Sequence, residues 1–168
     1  MSPLNCNGPA AIEVCVAARI TVEQVQEAVR RYWSAMAEKE PGALVRMYSY
    51  DSVTFNPFSS RPELGQVAAA RLEREYFAPL TQFRAEITSP IDVQFLADNV
   101  AVAVHTYRSY AKNLEDSIRG KRFNRSVLDG RGTHLFVLNS EGKLVLAHQH
   151  LSDIGRAPIE EVSSAGRR

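Results

Sequence analysis

Apolar residues recur at three- and four-residue spacing from Val22 through Val25, Ala28, Val29, Tyr32, Trp33 and Met36. That broad stripe predicts an amphipathic helix ending before Pro41-Gly42. Thr21, with Gln24 three residues on, predicts a capping box at its start. A second, short helix is expected to carry Leu44, Met47 and Tyr48, followed by the β-prone run Val53-Thr54-Phe55, which Asn56-Pro57 stops. Good helix formers fill Pro62 to Phe77, with Leu64, Val67, Ala68, Leu72 and Tyr76 on a partial face and Pro79 beyond the end. Residues 83–97 and 99–110 are rich in β-formers and meet at Asp98-Asn99, which predicts a long hairpin. A second hairpin is predicted where Thr133–Leu138 and Leu144–Leu151 flank the turn residues Asn139-Ser140-Glu141-Gly142. Three helices ahead of a run of antiparallel hairpins point to the α+β class rather than to a doubly wound parallel sheet.

Composition sharpens this picture mainly by exclusion. A chain of 168 residues, 45% hydrophobic, is about one domain with a real core. Residues 1–20 mix Pro, Gly, Asn and small side chains and read as a flexible N-terminal arm. Residues 21–153 read as the domain, and 154–168 as a flexible tail. Lys and Arg number 20 against 19 for Asp and Glu, a formal charge of +1, so no global field favours nucleic acid or an anionic membrane. The basic run Arg119, Lys121, Arg122, Arg125 and Arg131 is broken by Asp129 and has Phe123 as its one aromatic, which suits a solvated loop better than a nucleic-acid platform. The apolar stretch Ala10 to Ile20 is interrupted by Glu13 and follows no basic segment, so it makes a poor signal peptide. No run approaches the roughly 20 apolar residues of a membrane helix. The expectation is a cytoplasmic protein with no membrane or nucleic-acid partner. Cys6 and Cys15 form no pattern of a disulfide framework or a zinc site.

Two stretches carry a further signal: RYWSAMAEKEPGALVRMYSYDSVTFNP from Arg31 to Pro57, continued by ELGQVAAARLEREYFAPL from Glu63 to Leu80, and GRGTHLFVLNSEGKLVLAHQHLS from Gly130 to Ser152. In order and spacing they resemble the nuclear-transport-factor-2-like superfamily, in particular its SnoaL-like, ketosteroid-isomerase-like and calcium/calmodulin-dependent kinase II association-domain-like branches. The resemblance covers about residues 22–152. It implies a cone-shaped α+β fold, three N-terminal helices packed on a curved, mainly antiparallel sheet that encloses a pocket. The superfamily hosts isomerases, cyclases, dehydratases, epoxide hydrolases and noncatalytic assembly modules, so the pocket residues must choose among them.

By that resemblance Tyr32 stands where ketosteroid isomerases have their phenolic oxyanion donor, and a buried phenol can stabilise an enolate. Its stripe position equally suits an ordinary core tyrosine. Asn56 stands where the isomerases carry their proton-transfer carboxylate, and an amide cannot accept and return a proton near neutral pH. Before Pro57 it also suits plain turn chemistry. His134 stands at the place of the second oxyanion donor and can serve as donor or base, or as a structural histidine in a strand. The resemblance turns Thr106 and Arg108 inward, with His105 and Tyr107 on the opposite face. Arg108 would then bind an acidic substrate group or pair with a carboxylate such as Glu73. The arginines that line the kinase-association-domain cavity are replaced here by Thr106, His134 and Leu151. His148 and His150 share one face of the last strand, where a metal pair is one thought, yet the resemblance turns them outward as a sheet-to-sheet homodimer contact and leaves Gln149 inward. The expected site therefore has His134 and Tyr32 as catalytic groups and Asn56, Thr106, Arg108, Gln149, Trp33 and Glu73 around the ligand, with no metal and no cofactor. The expected function is a small-molecule pocket, as an isomerase, cyclase or dehydratase on a small apolar carbonyl or polycyclic compound. The alternative is a noncatalytic ligand-binding or oligomerisation module.

Overall fold

A computed structural model describes residues 19–57, 61–78, 80–113 and 125–156. Most of the N-terminal arm with Cys6 and Cys15, the tail beyond Arg156, and Arg119, Lys121, Arg122 and Phe123 of the basic run lie outside the described residues. The chain order is α1 (Val22–Ala37), α2 (Pro41–Val45), β1 (Tyr48–Phe55), β2 (Glu63–Leu64), α3 (Gly65–Phe77), β3 (Leu80–Ile87), β4 (Asp92–Ala97), β5 (Val100–Asn113), β6 (Arg125–Leu138) and β7 (Leu144–Arg156). The seven strands form one mixed sheet in the order β2-β1-β7-β6-β5-β3, with β4 also paired to β5. All pairings are antiparallel except β1 with β7.

The capping box forms as the sequence predicts: Gln24 N donates to Thr21 Oγ1, and Thr21 N donates to Gln24 Oε1. The stripe of α1 is buried at Val25, Ala28, Val29, Tyr32, Trp33, Ala35 and Met36, and it packs against β3, β4 and β5. Fully burying Val25 or Val29 contributes about 1.5–3 kcal/mol each, which outweighs the modest helix propensity of β-branched residues.

Four local expectations change. Tyr48 does not continue α2; it opens β1 opposite Leu146, whose N–H donates to Met47 O at 2.7 Å, because a parallel ladder to β7 satisfies the backbone there. The third helix begins at Gly65 rather than Pro62, since Glu63 and Leu64 pair with Thr54 and Val53. Strands β1 and β2 thus precede α3, so the helices do not all come before the sheet. The stretch 83–97 is not one strand: Pro90 lacks the N–H a ladder needs, and the chain breaks into β3 and β4, which pair with successive halves of the long β5. The Gln66 amide bridges the carbonyls of Val45 and Tyr48 and so ties α3 to the junction of α2 and β1.

Candidate site on the inner face of the sheet

Alternation along β5 buries Ala101, Ala103, His105, Tyr107 and Ser109. Their neighbours Thr106 and Arg108 therefore face outward, which corrects the inward placement expected from the resemblance. Thr106 Oγ1 lies 2.8 Å from Thr88 Oγ1. Arg108 reaches across to β6, where its Nε and Nη2 donate to the two carboxylate oxygens of Asp129 at 2.6 and 2.9 Å. That pair holds the Arg108 guanidinium above its ordinary range and the Asp129 carboxyl below its own. Arg108 is therefore spent on a cross-strand ion pair with Asp129, not on an interior ligand. The side chain of Glu73, its expected partner, lies outside the described residues.

The inner face is built from four strands and one helix. Residues Thr54, Gln149, His134 and Ala103 stand side by side on β1, β7, β6 and β5. One step along, His105 stands beside Gly132, and Tyr107 beside Gly130. Both glycines lie under aromatic rings: a Cβ on Gly130 would sit 2.3 Å from the Tyr107 ring, and one on Gly132 2.6 Å from the His105 ring. Only glycine leaves these rings room to lie across β6. The helix α1 closes the cluster with Tyr32 and Trp33.

The polar atoms of this cluster bond in two short chains. Trp33 Nε1–H donates to His105 Nε2 at 2.7 Å. The Tyr48 hydroxyl donates to Gln149 Oε1 at 2.9 Å, and Gln149 Nε2 lies 3.3 Å from His134 Nε2. Edge-on ring contacts join the two chains, with Tyr32 to His134 at 5.0 Å and His105 to His134 at 5.2 Å between centroids. Burial pushes His105 down to about 4. It pushes His134, which has no exposed surface, well below the ordinary imidazole range, with the neighbouring His105 adding to the shift. Both imidazoles are therefore neutral near pH 7. Among the described residues Nδ1 of each, and the hydroxyls of Ser52 and Thr54, meet no hydrogen-bond partner.

Of the residues expected from sequence, the structure gathers Tyr32, Trp33, His134, Gln149 and Asn56 on the inner side, all buried. Thr106 and Arg108 are not among them. His105, missed by sequence reasoning, is. His148 and His150 lie on the outer face beside the Phe55 ring, at 6.0 and 5.7 Å between centroids, and burial together with His150 lowers the His148 titration. Among the described residues no group of three or more His, Cys, Asp and Glu is placed to hold a metal ion, and no helix is long and apolar enough to cross a membrane. A groove of about 590 Å³ runs outside the cluster between α1 and β3, lined by Arg30, Ser34, Glu86 and Pro90 and reaching inward as far as Trp33.

In sequence, no family model and no curated protein matches the chain. In structure it is similar to a nuclear transport factor 2-like superfamily protein from Salmonella enterica serovar Typhimurium, with TM-score 0.68, 14% identity, and 83% of this chain and 94% of that one covered. It is similar to a ketosteroid isomerase-like protein from Erwinia carotovora atroseptica, with TM-score 0.63, 16% identity, and 78% and 94% covered. A protein from Kribbella flavida aligns with TM-score 0.70, 15% identity, and 81% and 92% covered. At these identities the likeness is one of fold.

Proposed function

We propose that this chain, which has the nuclear-transport-factor-2-like fold, receives a small, largely apolar carbonyl or polycyclic compound against the inner face of its sheet and acts on it without a cofactor. One observation carries the reading: a fully buried, uncharged polar cluster around His134, with polar atoms unpartnered among the described residues. Leaving buried donors unpaired costs stability, and a ligand that pairs them offsets that cost. A ligand oxygen bonded to His134 beside the Tyr32 ring would be polarised towards an enol, the step shared by isomerisation, cyclisation and dehydration next to a carbonyl. His134 serves as a neutral donor and not as a proton shuttle, because burial disfavours its charged form and Gln149 occupies Nε2.

A second reading, binding without turnover, is favoured by Asn56, which stands where the resemblance gives the base. Among the described side chains, which leave out those of Glu73 and Asp153, no buried Asp or Glu replaces it. Ligand-dependent melting of the wild type, Tyr32→Phe and His134→Ala against planar phenols, polycyclic ketones, steroids and small carboxylates tests the site. The proposal expects a ketone or phenol to raise the Tm of the wild type and His134→Ala to lose the shift while staying folded. Equal shifts in wild type and variants would refute it. Turnover of the stabilising compound then separates enzyme from binder.

A further inference from the structure

The two hydrogen-bond chains determine where the imidazole protons sit. An indole nitrogen only donates, so His105 Nε2 must offer a lone pair to Trp33 at 2.7 Å, and the proton of the neutral ring is on Nδ1. The Tyr48 hydroxyl donates to Gln149 Oε1, and in that orientation of the amide its nitrogen, also a donor only, faces His134 Nε2. His134 is likewise protonated on Nδ1. Each ring therefore presents one Nδ1–H, and neither meets an acceptor among the described residues. The rings lie 5.2 Å apart at 83°, with His134 wholly buried and His105 5% exposed.

We infer that His105 and His134 form a pair of neutral N–H donors, fixed in that tautomer by Trp33 and by the Tyr48–Gln149 chain, and that the pair selects ligands with an uncharged acceptor oxygen over carboxylates. This rests on the interior ligand site proposed above. The discrimination follows from what surrounds the pair. Among the described side chains the other buried polar ones are Ser52, Thr54, Asn56, Ser109 and Gln149, with the phenols of Tyr32, Tyr48 and Tyr107, and none is a Lys or Arg. A ketone, aldehyde, lactone or quinone oxygen takes two hydrogen bonds there without bringing charge into the interior. A carboxylate meets no countercharge and binds only by first taking up a proton. A hydrocarbon of the same shape leaves both donors unpaired, which costs on the order of 10- to 100-fold in affinity. Trp33, Tyr48 and Gln149 are positioning residues in this account.

The test is long-range proton–nitrogen NMR on the nitrogen-15-labelled full chain near pH 7, with calorimetric titration of 1-indanone, indane and indane-1-carboxylate. Both histidines are expected as Nδ1–H tautomers. Trp33→Phe should release His105, and Gln149→Leu should release His134, into tautomer mixtures. The ketone should bind at least about tenfold more tightly than indane and without proton uptake, whereas the carboxylate should bind weakly and with proton uptake. An Nε2–H or doubly protonated histidine in the wild type overturns the inference. So does indane, or the carboxylate without proton uptake, binding as tightly as the ketone; in those cases the interior site itself stands. If no compound of any class binds or shifts the Tm, the interior site falls and the ligand selectivity inferred here falls with it, while the NMR tautomers still report on the hydrogen-bond chains.

Discussion

Acidification should destabilise this fold through its inner-face histidines before any carboxylate titrates. Burial pushes His105 down to about 4 from the ordinary imidazole value of 6.5. Below pH 6.5 the unfolded chain binds a proton that the folded chain refuses, so stability is full above that pH and falls as the pH drops towards 4. At about pH 5 the unfolded imidazole is almost fully protonated and the folded one about one-tenth protonated. With about 1.4 kcal/mol per pH unit, His105 alone then removes roughly 2 kcal/mol relative to pH 7.5. His134 shifts in the same direction and adds to the loss. So does His148, whose contribution is common to wild type and variant and cancels. Urea unfolding at the two pH values, for the wild type and for His105→Gln, isolates the His105 share, because any baseline cost of the substitution is the same at both. The wild type should lose about 2 kcal/mol more than the variant over this interval. Equal losses would show that His105 is not buried and neutral, and would refute the packing of the inner face described here.

Two further substitutions probe the elements that position the cluster. Gly132→Ala brings a methyl to 2.6 Å from a His105 ring already held by Trp33, so overpacking should cost about 1–3 kcal/mol in urea unfolding, with a change in Trp33 fluorescence; wild-type stability would contradict the placement of His105. Thr21→Ala removes the capping-box acceptor of α1 and should cost about 1 kcal/mol by the same assay, and an unchanged midpoint would remove the cap from the account.

The elements legible in the sequence were those with one strong periodicity. The α1 stripe and its cap, and the hairpin at Asn139 to Gly142, follow from residues that allow no second arrangement. The β5 register was not legible, because Val-Ala-Val-Ala-Val-His-Thr-Tyr-Arg is apolar on both faces: small alanines go inside and valines outside, and binary patterning cannot tell them apart. The inward placement of Thr106 and Arg108 came from the resemblance, and alternation along β5 offered nothing to oppose it. A usable signal lay on the neighbouring strand, where Gly130 and Gly132 alternate with the same period as His134. Glycines on an inner face mark places that must admit a large ring, and in the antiparallel register those rings are Tyr107 and His105. The burial of Asn56, Gln149 and His134 agrees with the positions the resemblance gave them. The bonds from Trp33 to His105 and from Tyr48 to Gln149 join residues 72 and 101 apart in sequence and have no local signature.

The most direct test of the interior site is a crystal structure of the chain with 1-indanone bound. The account predicts the ketone oxygen on the inner face of the sheet, within hydrogen-bond distance of Nδ1 of His105 and His134. A ketone bound elsewhere, for instance in the outer groove between α1 and β3 lined by Arg30, Glu86 and Pro90, with both Nδ1 atoms bonded to protein, would contradict it.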